Sequence, residues 1–158
     1  MTQQVQQFAE AAEQFCAWAE SNPSSPETEA VAALQHLSGL YKLALELPPM
    51  FGEEEPSELT HEAWTQVYQR FGSLPFNYYS QCFDPSELST DAVTADLADD
   101  LADIWRDLKR GLSLYEAGHT AAAAWDWRQN FWQHWGHHAA GGIYALHMWH
   151  SQHGSGAT

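Results

Sequence analysis

Apolar residues recur at intervals of three and four over most of the chain, and this spacing predicts amphipathic helices. One such segment covers residues 2–21, and a second covers residues 27–47, where a Pro-Pro pair stops it. A third is predicted over residues 60–71, with Thr60 as its N-cap. The side chains predicted to point inward are Val5, Phe8, Ala12, Phe15, Ala19, Val31, Leu34, Leu37, Tyr41, Leu45, Trp64, Val67, Tyr68 and Phe71.

The pattern is clearest over residues 94–135, which predict two helices joined by a tight turn at Gly118. In the first helix the apolar side chains fall within about 100° of a helical wheel, and five aspartates occupy a second arc. Thr94 is the predicted N-cap of this helix and Thr120 that of the next. We call the acidic arc the aspartate stripe, and expect it to form a solvated face with surface ion pairs: Asp96, Asp99, Asp100, Asp103 and Asp107, with Arg106 and Arg110 spaced to pair with the last two.

The second helix of this pair, residues 120–135, is apolar on nearly all sides, with only a narrow polar strip. Such a helix is typically buried, so we place it at the centre of the fold. One helix from 120 to 150 would be about 45 Å long, which is too long for a domain of this size. We therefore predict a break near Gly136 or at Gly141 and Gly142, followed by a last helix with Ile143, Leu146 and Trp149 inward.

Residues 72–93 lack a helical pattern but carry several aromatic side chains, which favours an ordered loop packed on the helices. Within it, Asp84 to Glu87 could begin one short helical turn. The predicted fold is therefore all-α: a compact antiparallel bundle of five to six helices with a long ordered aromatic loop at about 72–93. We expect a single domain over residues 1–150 and a frayed tail over 151–158.

The composition narrows the classes of partner. The chain has 158 residues, with 21 acidic and 6 basic side chains and a formal net charge of −15. Because this charge repels phosphate groups and anionic lipids, we expect neither nucleic acid nor membrane as a partner. Cys16 and Cys82 form no metal-binding spacing and are predicted to be buried free thiols. The absence of a signal-peptide pattern makes the cytoplasm the expected location.

Several stretches share residues with one known family. The most specific is residues 99–111, DDLADIWRDLKRG. Similar residues continue at Trp125, Trp127, Phe131, His134-Trp135-Gly136 and His138, and weaker ones are Leu40-Tyr41, Leu47-Pro48, Trp64 with Tyr68, and Tyr78-Tyr79 with Phe83-Asp84-Pro85. Over residues 27–150 the chain resembles an uncharacterised bacterial family, domain of unknown function 5063. The resemblance implies an all-helical fold and brings no activity, ligand or catalytic residue with it.

The strongest candidate for chemistry is a pair of histidines. His134 and His138 are four residues apart, a spacing that lets two imidazoles on one helix bind the same metal ion. A further ligand would come from Asp99, Asp100 or Asp103 on the neighbouring helix, or from another histidine such as His36 or His61. The alternative is structural, with a carboxylate of the stripe accepting a hydrogen bond from a buried imidazole.

Two weaker candidates remain. The aspartate stripe could hold Mg²⁺ or Mn²⁺ if acidic residues of the Glu53–Glu58 segment faced it, as paired acidic motifs do in all-helical nucleotide pyrophosphatases. A pocket for a planar ligand could be lined by aromatic side chains that are otherwise expected in the core: Trp127, Phe131, Tyr78 and Tyr79.

Taken together, these patterns favour a non-enzymatic binding, interaction or regulatory module that meets a protein or small-ligand partner. The alternative is a metal-dependent hydrolase that uses His134 and His138 with aspartates of the stripe. No cofactor is expected under the first hypothesis, whereas a divalent metal ion is required under the second. Homodimerisation through an uncovered apolar face is a further open alternative.

Overall fold

Six α-helices and one two-stranded β-hairpin form residues 2–154, the part of the chain that the computed structural model describes. The predicted all-α bundle is confirmed. A 3-10 turn, Phe71–Ser73, follows the third helix, and a π-helical turn, Phe131–Trp135, joins the last two. The elements are α1 Thr2–Ala19, α2 Pro26–Leu45, α3 His61–Arg70, β1 Tyr78–Gln81, β2 Val93–Asp96, α4 Leu97–Glu116, α5 Thr120–Asn130 and α6 Gly136–His153.

Helix α4 lies at the centre, in contact with α1, α3, α5 and α6. Its predicted apolar arc is confirmed, because Leu97, Leu101, Ile104 and Leu108 are all buried. The predicted centre, 120–135, was wrong in part: Trp127 is buried, but Trp132 is 64% exposed. A helix that is apolar all round can still leave one side uncovered when its neighbours pack on the other.

The caps of this region differ from the prediction. Asp96 caps α4 by accepting a hydrogen bond from the backbone N–H of Asp99, whereas Thr94 lies inside β2. Helix α5 follows His119 and has no side-chain cap, so Thr120 is its first residue. Gly118, with a φ of 87°, adopts the predicted left-handed conformation between α4 and α5.

In α1 every predicted inward residue is buried, whereas α2 is rotated relative to the prediction. Val31 and Leu45 are exposed, and the buried face of α2 carries Ala30, Ala33, Leu37, Leu40 and Ala44. The physical cause is Glu29, which is buried and hydrogen-bonded by Trp18, Ser24 and Arg70. Holding this carboxylate inward fixes the rotation of the helix about its axis.

The predicted helix break near Gly136 was wrong, because the chain stays helical from Thr120 to His153. The π turn takes up one extra residue instead, with the N–H of Gly136 bonded to the carbonyl of Phe131, five residues earlier. A Cβ at Gly136 would collide with that carbonyl oxygen, so glycine permits the turn. Helix α6 also extends past residue 150, and of the predicted frayed tail, residues 155–158 lie outside the described part.

The predicted loop at 72–93 contains the hairpin instead. Strands β1 and β2 are antiparallel, with Tyr78 opposite Asp96 and Gln81 opposite Val93. Asn77 joins the hairpin to α4, because its carbonyl accepts from the N–H of Leu97 and its side chain accepts from that of Ala98.

Between the strands the chain is largely exposed. Asp84 accepts at its carbonyl from the N–H of Glu87, which makes a single turn. Phe83 and Cys82 are exposed, so the predictions of a packed Phe83 and a buried Cys82 thiol were wrong. Cys16 is buried as predicted, and burial raises the pKa of its thiol. Over the described residues, the helices lack the length or apolar character needed to cross a bilayer.

Candidate metal centre

His134 and His138 lie against α4, at the side that carries the aspartate stripe. His134 belongs to the π turn and His138 to the first turns of α6. Their Nε2 atoms are 3.3 Å apart, and Oδ2 of Asp103 lies 3.5 Å from Nε2 of His134 and 3.6 Å from Nε2 of His138. We call these three atoms the His–His–Asp triangle.

The other nitrogen of each imidazole is held by a second carboxylate. Nδ1 of His134 lies 2.6 Å from Oδ2 of Asp107, and Nδ1 of His138 lies 2.6 Å from Oδ1 of Asp100. An ionised carboxylate can only accept, so each Nδ1 carries the proton and donates it. In the neutral imidazoles the lone pairs are therefore on Nε2, and they face one another across the triangle.

Asp103 is oriented from its other side. Its Oδ1 accepts from Nε1 of Trp64 at 2.8 Å and from Nη2 of Arg106 at 3.0 Å. Both donors occupy the same oxygen, which leaves Oδ2 directed at the histidines. Trp64 in turn stacks on Tyr68, whose hydroxyl donates to Asp96.

Asp100 is also held on both oxygens. Its Oδ2 accepts from the hydroxyl of Tyr79 in β1, while Oδ1 accepts from His138. The hydrogen bond to Asp100 and burial together raise the pKa of Tyr79, with burial the larger effect. The site is thus assembled from α3, β1, α4, the π turn and α6, and its parts come together only in the folded chain.

The electrostatics favour positive charge inside the triangle. Hydrogen bonds to Asp103 and Asp107 raise the pKa of His134 to about 10. Burial opposes ionisation of Asp103, but hydrogen bonds from His134 and Trp64, together with the charge of Arg106, lower the pKa of its carboxyl. Either a proton on His134 or a metal cation could occupy the triangle, because three electron-rich atoms converge there when both imidazoles are neutral.

The distances distinguish these two occupants. A charge-assisted N–H···O bond is normally about 2.7–2.9 Å long, as the short Nδ1 contacts approach. The three sides of the triangle, 3.3, 3.5 and 3.6 Å, exceed that length. They suit atoms that share a cation better than atoms that share a proton.

The predicted ligands are therefore only partly brought together. Of the three aspartates proposed as ligands, Asp103 faces both Nε2 atoms, whereas Asp100 supports His138 through Nδ1. Asp99 is half-buried one turn earlier and is not part of the triangle. Burial and the neighbouring Asp103 raise the pKa of Asp99.

The expectation that the aspartate stripe is a solvated face was wrong. Asp100 and Asp107 are buried, and Asp103 is only partly exposed. The reason is that imidazole, indole and phenol donors from other elements cover these carboxylates. The predicted surface pair of Asp103 with Arg106 does form, at 3.0 Å, whereas Arg110 pairs instead with Glu58, at 2.7 Å.

Other proposed ligands lie elsewhere. His36 stacks on Trp18 at the α1–α2 side, and His61 stacks on Trp64 without joining the triangle. Glu58 binds Arg110, and Glu54 lies 3.6 Å from His119, so the acidic segment does not face the stripe as a second ligand set. The magnesium pattern of facing acidic helices is not formed.

Sequence reasoning missed Trp64 and Arg106 as parts of this site, and it did not single out Asp107 among the aspartates of the stripe. The sequence does contain a signal for Asp107. When two helices run antiparallel, carboxylates one or two turns apart on one helix can face histidines one turn apart on the other. The pairs Asp100–His138 and Asp107–His134 follow that antiparallel order. No local pattern marks Trp64 as an anchor of Asp103, because the two residues are far apart in the chain.

The predicted aromatic pocket is not formed by its four residues. Trp127 is buried in the core, where its Nε1 donates to the carbonyl of Leu108, and Phe131 packs on Tyr41. Tyr78 is exposed. Tyr79 instead lines a different cavity, the hairpin cleft, of about 510 Å³, whose walls also include Gln81, Phe83, His137, Gly141 and Tyr144.

Comparisons with known proteins identify the family and the fold. The chain matches the model of the family described as Domain of unknown function (DUF5063) over residues 1–152, and it therefore belongs to that family. Its structure is similar to the crystal structure of protein BF1032 from Bacteroides fragilis, with a TM-score of 0.75 and 25% sequence identity, over 98% of this chain and 96% of that chain. A search of the curated proteins found no match. The family suggested by the sequence motifs is confirmed, and the chemistry must be argued from the site.

Proposed function

We propose that this protein binds one zinc ion through Nε2 of His134, Nε2 of His138 and Oδ2 of Asp103, and that the ion activates a water molecule for hydrolysis. The observation that carries the proposal is the His–His–Asp triangle, in which three metal-ligating atoms converge. When both imidazoles are neutral, neither can donate to the other, because both Nδ1 protons are already donated to carboxylates.

The size of the triangle supports a tetrahedral ion. With bonds of about 2.0–2.1 Å, ligand atoms of a tetrahedral zinc site are about 3.3–3.4 Å apart. Facial ligands of an octahedral iron site, with slightly longer bonds, would be about 3.0 Å apart. The observed sides of 3.3–3.6 Å lie closer to the tetrahedral spacing.

The hydrogen bonds that orient His134, His138 and Asp103 support a metal centre. Histidine ligands usually donate their second nitrogen to a carboxylate or carbonyl, which fixes the tautomer and raises the basicity of the ligating nitrogen. Asp107 and Asp100 supply this for His134 and His138, both at 2.6 Å. Asp103 is oriented in the same way by Trp64 and Arg106.

An open coordination position favours a catalytic over a purely structural ion. Structural zinc sites usually have four protein ligands, whereas catalytic sites have three and a water. The triangle supplies three, and the side chain of His134 is 34% exposed, so solvent reaches the site. A zinc-bound water loses a proton near neutral pH. An ion held by these three residues would supply a hydroxide nucleophile for an acyl carbon, and the proton released by the water would depart with the leaving group.

Metal binding is tested on purified, untagged protein. After treatment with a chelator, zinc is titrated by calorimetry and the bound metal is counted by elemental analysis. We expect one zinc per chain, and a loss of at least 100-fold in affinity for His138→Ala and for Asp103→Asn. His147→Ala is the matched control, because His147 is an exposed histidine of the same helix.

The outcomes separate the hypotheses. A wild-type chain that takes up no zinc, or variants that retain it, would overturn the proposal in favour of a structural histidine–carboxylate network. Circular dichroism must show that each variant is folded. Hydrolysis of 4-nitrophenyl acetate that requires zinc and disappears in His138→Ala would support water activation, whereas zinc binding without any rate increase would reduce the function to metal binding.

A further inference from the structure

The hairpin cleft lies between β1, the chain that follows it, and α6. Its volume is about 510 Å³, within the range of sites for small molecules. The lining is largely apolar. It includes the aromatic residues Tyr79, Phe83 and Tyr144 together with Ala140 and Gly141. Phe83 and Tyr144 are 82% and 69% exposed, which leaves their rings free to contact a ligand.

The sequence builds this cleft by letting the hairpin approach the helix closely. A Cβ at Gly141 would lie 2.5 Å from Nε2 of Gln81 and 2.9 Å from the hydroxyl of Tyr79. Gly141 therefore allows Tyr79 and Gln81, the two inward-facing residues of β1, to rest on α6. The amide of Gln81 lines the cleft and offers a polar contact.

Two residues, Tyr79 and His137, line the cleft and also contact side chains of the proposed metal centre. Tyr79 lines the cleft with its ring while its hydroxyl donates to Asp100, the carboxylate that holds His138. The imidazole of His137 lines the cleft and stacks on His138, with 4.5 Å between ring centroids. A molecule in the cleft would thus be separated by one side chain, His137, from the proposed metal ligand His138.

The negative charge of the nearby aspartate stripe limits which ligands the hairpin cleft can bind. The five aspartates of the stripe carry five negative charges, which Arg106 and a bound dication reduce to a formal −2. Within the described residues, the walls of the cleft contain no lysine or arginine. An anionic group would be repelled and would lose its hydration without a partner.

We propose that the hairpin cleft binds the substrate of the zinc centre, and that this substrate is a molecule with an aromatic or aliphatic group and no negative charge. The assignment of a substrate rests on the proposed zinc function, whereas binding in the cleft can be measured without it. Apolar walls supply the affinity, the single amide of Gln81 supplies orientation, and the acidic surroundings exclude anions.

Binding is tested with two matched fluorescent probes. N-phenyl-1-naphthylamine is neutral, and 1-anilinonaphthalene-8-sulfonate has the same ring system with a negative charge. We expect saturable binding of the neutral probe at one site and at least tenfold weaker binding of the sulfonate. Tyr144→Ala and Phe83→Ala should each lower the affinity for the neutral probe by threefold or more, whereas Tyr144→Phe should leave it unchanged.

The control is Phe51→Ala, which removes an exposed aromatic side chain away from the cleft. Equal binding of the two probes, or neutral-probe binding unchanged in both Tyr144→Ala and Phe83→Ala, would overturn the proposal. Zinc content should be unchanged in these variants, so a failure of the cleft is distinguishable from a failure of the metal centre.

The link between cleft and metal is tested by hydrolysis. We expect the zinc-loaded protein to cleave 4-nitrophenyl butyrate and not 4-nitrophenyl phosphate, and Tyr144→Ala to lower kcat/KM for the butyrate by fivefold or more, chiefly through KM. Loss of neutral-probe binding with an unchanged kcat/KM would show that the cleft is not the substrate site. Preference for the phosphate would overturn the charge argument.

Discussion

Two clusters of charged side chains, one buried and one partly buried, link the helices of this fold, and their hydrogen bonds differ. At the α1–α2 turn, Glu29 accepts from Arg70 at 3.0 Å, from the backbone N–H of Ser24 at 2.6 Å and from Trp18 at 2.8 Å. At α4, Oδ2 of Asp103 faces two imidazole nitrogens at 3.5 and 3.6 Å. The first cluster has a donor for each carboxylate oxygen, whereas in the second the three facing atoms are all acceptors unless His134 is protonated.

The contrast teaches how to separate structural polar networks from binding sites. Buried polar groups that find donors within the chain stabilise one packing and need nothing else. Buried lone pairs that converge are costly unless a proton or a cation joins them. Burial alone does not distinguish the clusters, since Glu29 and Asp100 are both buried; the direction of the donors does.

The largest expected effect comes from breaking the satisfied cluster. Arg70→Met would leave Glu29 buried without its charged partner, and we expect the free energy of unfolding to fall by about 3–5 kcal/mol. Urea denaturation measures it. Zinc affinity should change less than threefold, because Arg70 bonds to Ser21 and Glu29, away from the His–His–Asp triangle. A loss under 1 kcal/mol would mean that Glu29 is held well enough by Trp18 and Ser24.

The next effect concerns the unsatisfied cluster. Zinc at a free concentration 100 times its dissociation constant should stabilise the protein by about 2.7 kcal/mol. This gain should vanish in Asp103→Asn, in which the amide oxygen can still accept from Trp64 but no longer supplies an anionic ligand. Thermal melts with and without zinc measure both proteins. A variant stabilised as much as the wild type would contradict the assigned ligand.

The pH dependence of the metal-free protein gives a smaller effect. The pKa of His134 is raised to about 10 from an ordinary 6.5, with the hydrogen bond to Asp103 the largest cause. The folded state therefore retains a proton that the unfolded state loses between these values. Its stabilisation is fully present below pH 6.5 and is lost as the pH rises toward 10.

Because His134 is partly exposed, solvent screening reduces this contribution to about 1–2 kcal/mol. The measurement is unfolding between pH 6 and 10 for the wild type and for His134→Gln. The difference between the two should shrink as the pH rises. A difference that stays constant would show that the proton on His134 does not stabilise the fold.

The smallest effect tests a third kind of buried carboxylate. Asp126 is buried, with Arg110 3.8 Å away and, within the described residues, no hydrogen bond to Oδ2. Burial raises its pKa to about 6, despite Arg110. Ionisation of Asp126 therefore destabilises the folded state, and this cost appears as the pH rises from about 4 to above 6.

Asp126→Asn should accordingly stabilise the protein by about 1 kcal/mol at pH 7 and by nothing at pH 4. Denaturation at the two pH values measures it. Destabilisation at pH 7 would mean that the attraction to Arg110 exceeds the cost of burial.

What the sequence could predict follows from the local nature of its patterns. Periodicity located the helices and the apolar face of α4, and capping chemistry located Thr60 and Gly118. These features depend on residues within a few positions of one another. The rotation of α2 does not, because it is fixed by a bond from Glu29 to Arg70 on the next helix, 41 residues further along the chain.

The same limit explains the site. Spacing showed that the aspartates share one side of α4 and that His134 and His138 share another helix face. It could not show that the two faces meet, because an acidic face covered by imidazoles has the same period as one in water. The hairpin was missed for a related reason: β1 and β2 are short, and their pairing is stabilised by the contact of Asn77 with α4.

The extra residue of the π turn between α5 and α6 restricts how the length of this helical segment can vary. In an α-helix each residue turns the chain by about 100°, so deleting one residue from the segment 131–135 would swing everything beyond it by that angle. His138 would leave Asp100, and Gly141 would no longer lie under the strand. Length changes should be tolerated in the exposed stretch between the two strands, whereas lengthening or shortening the segment 131–135 should disrupt both the hairpin cleft and the proposed metal centre.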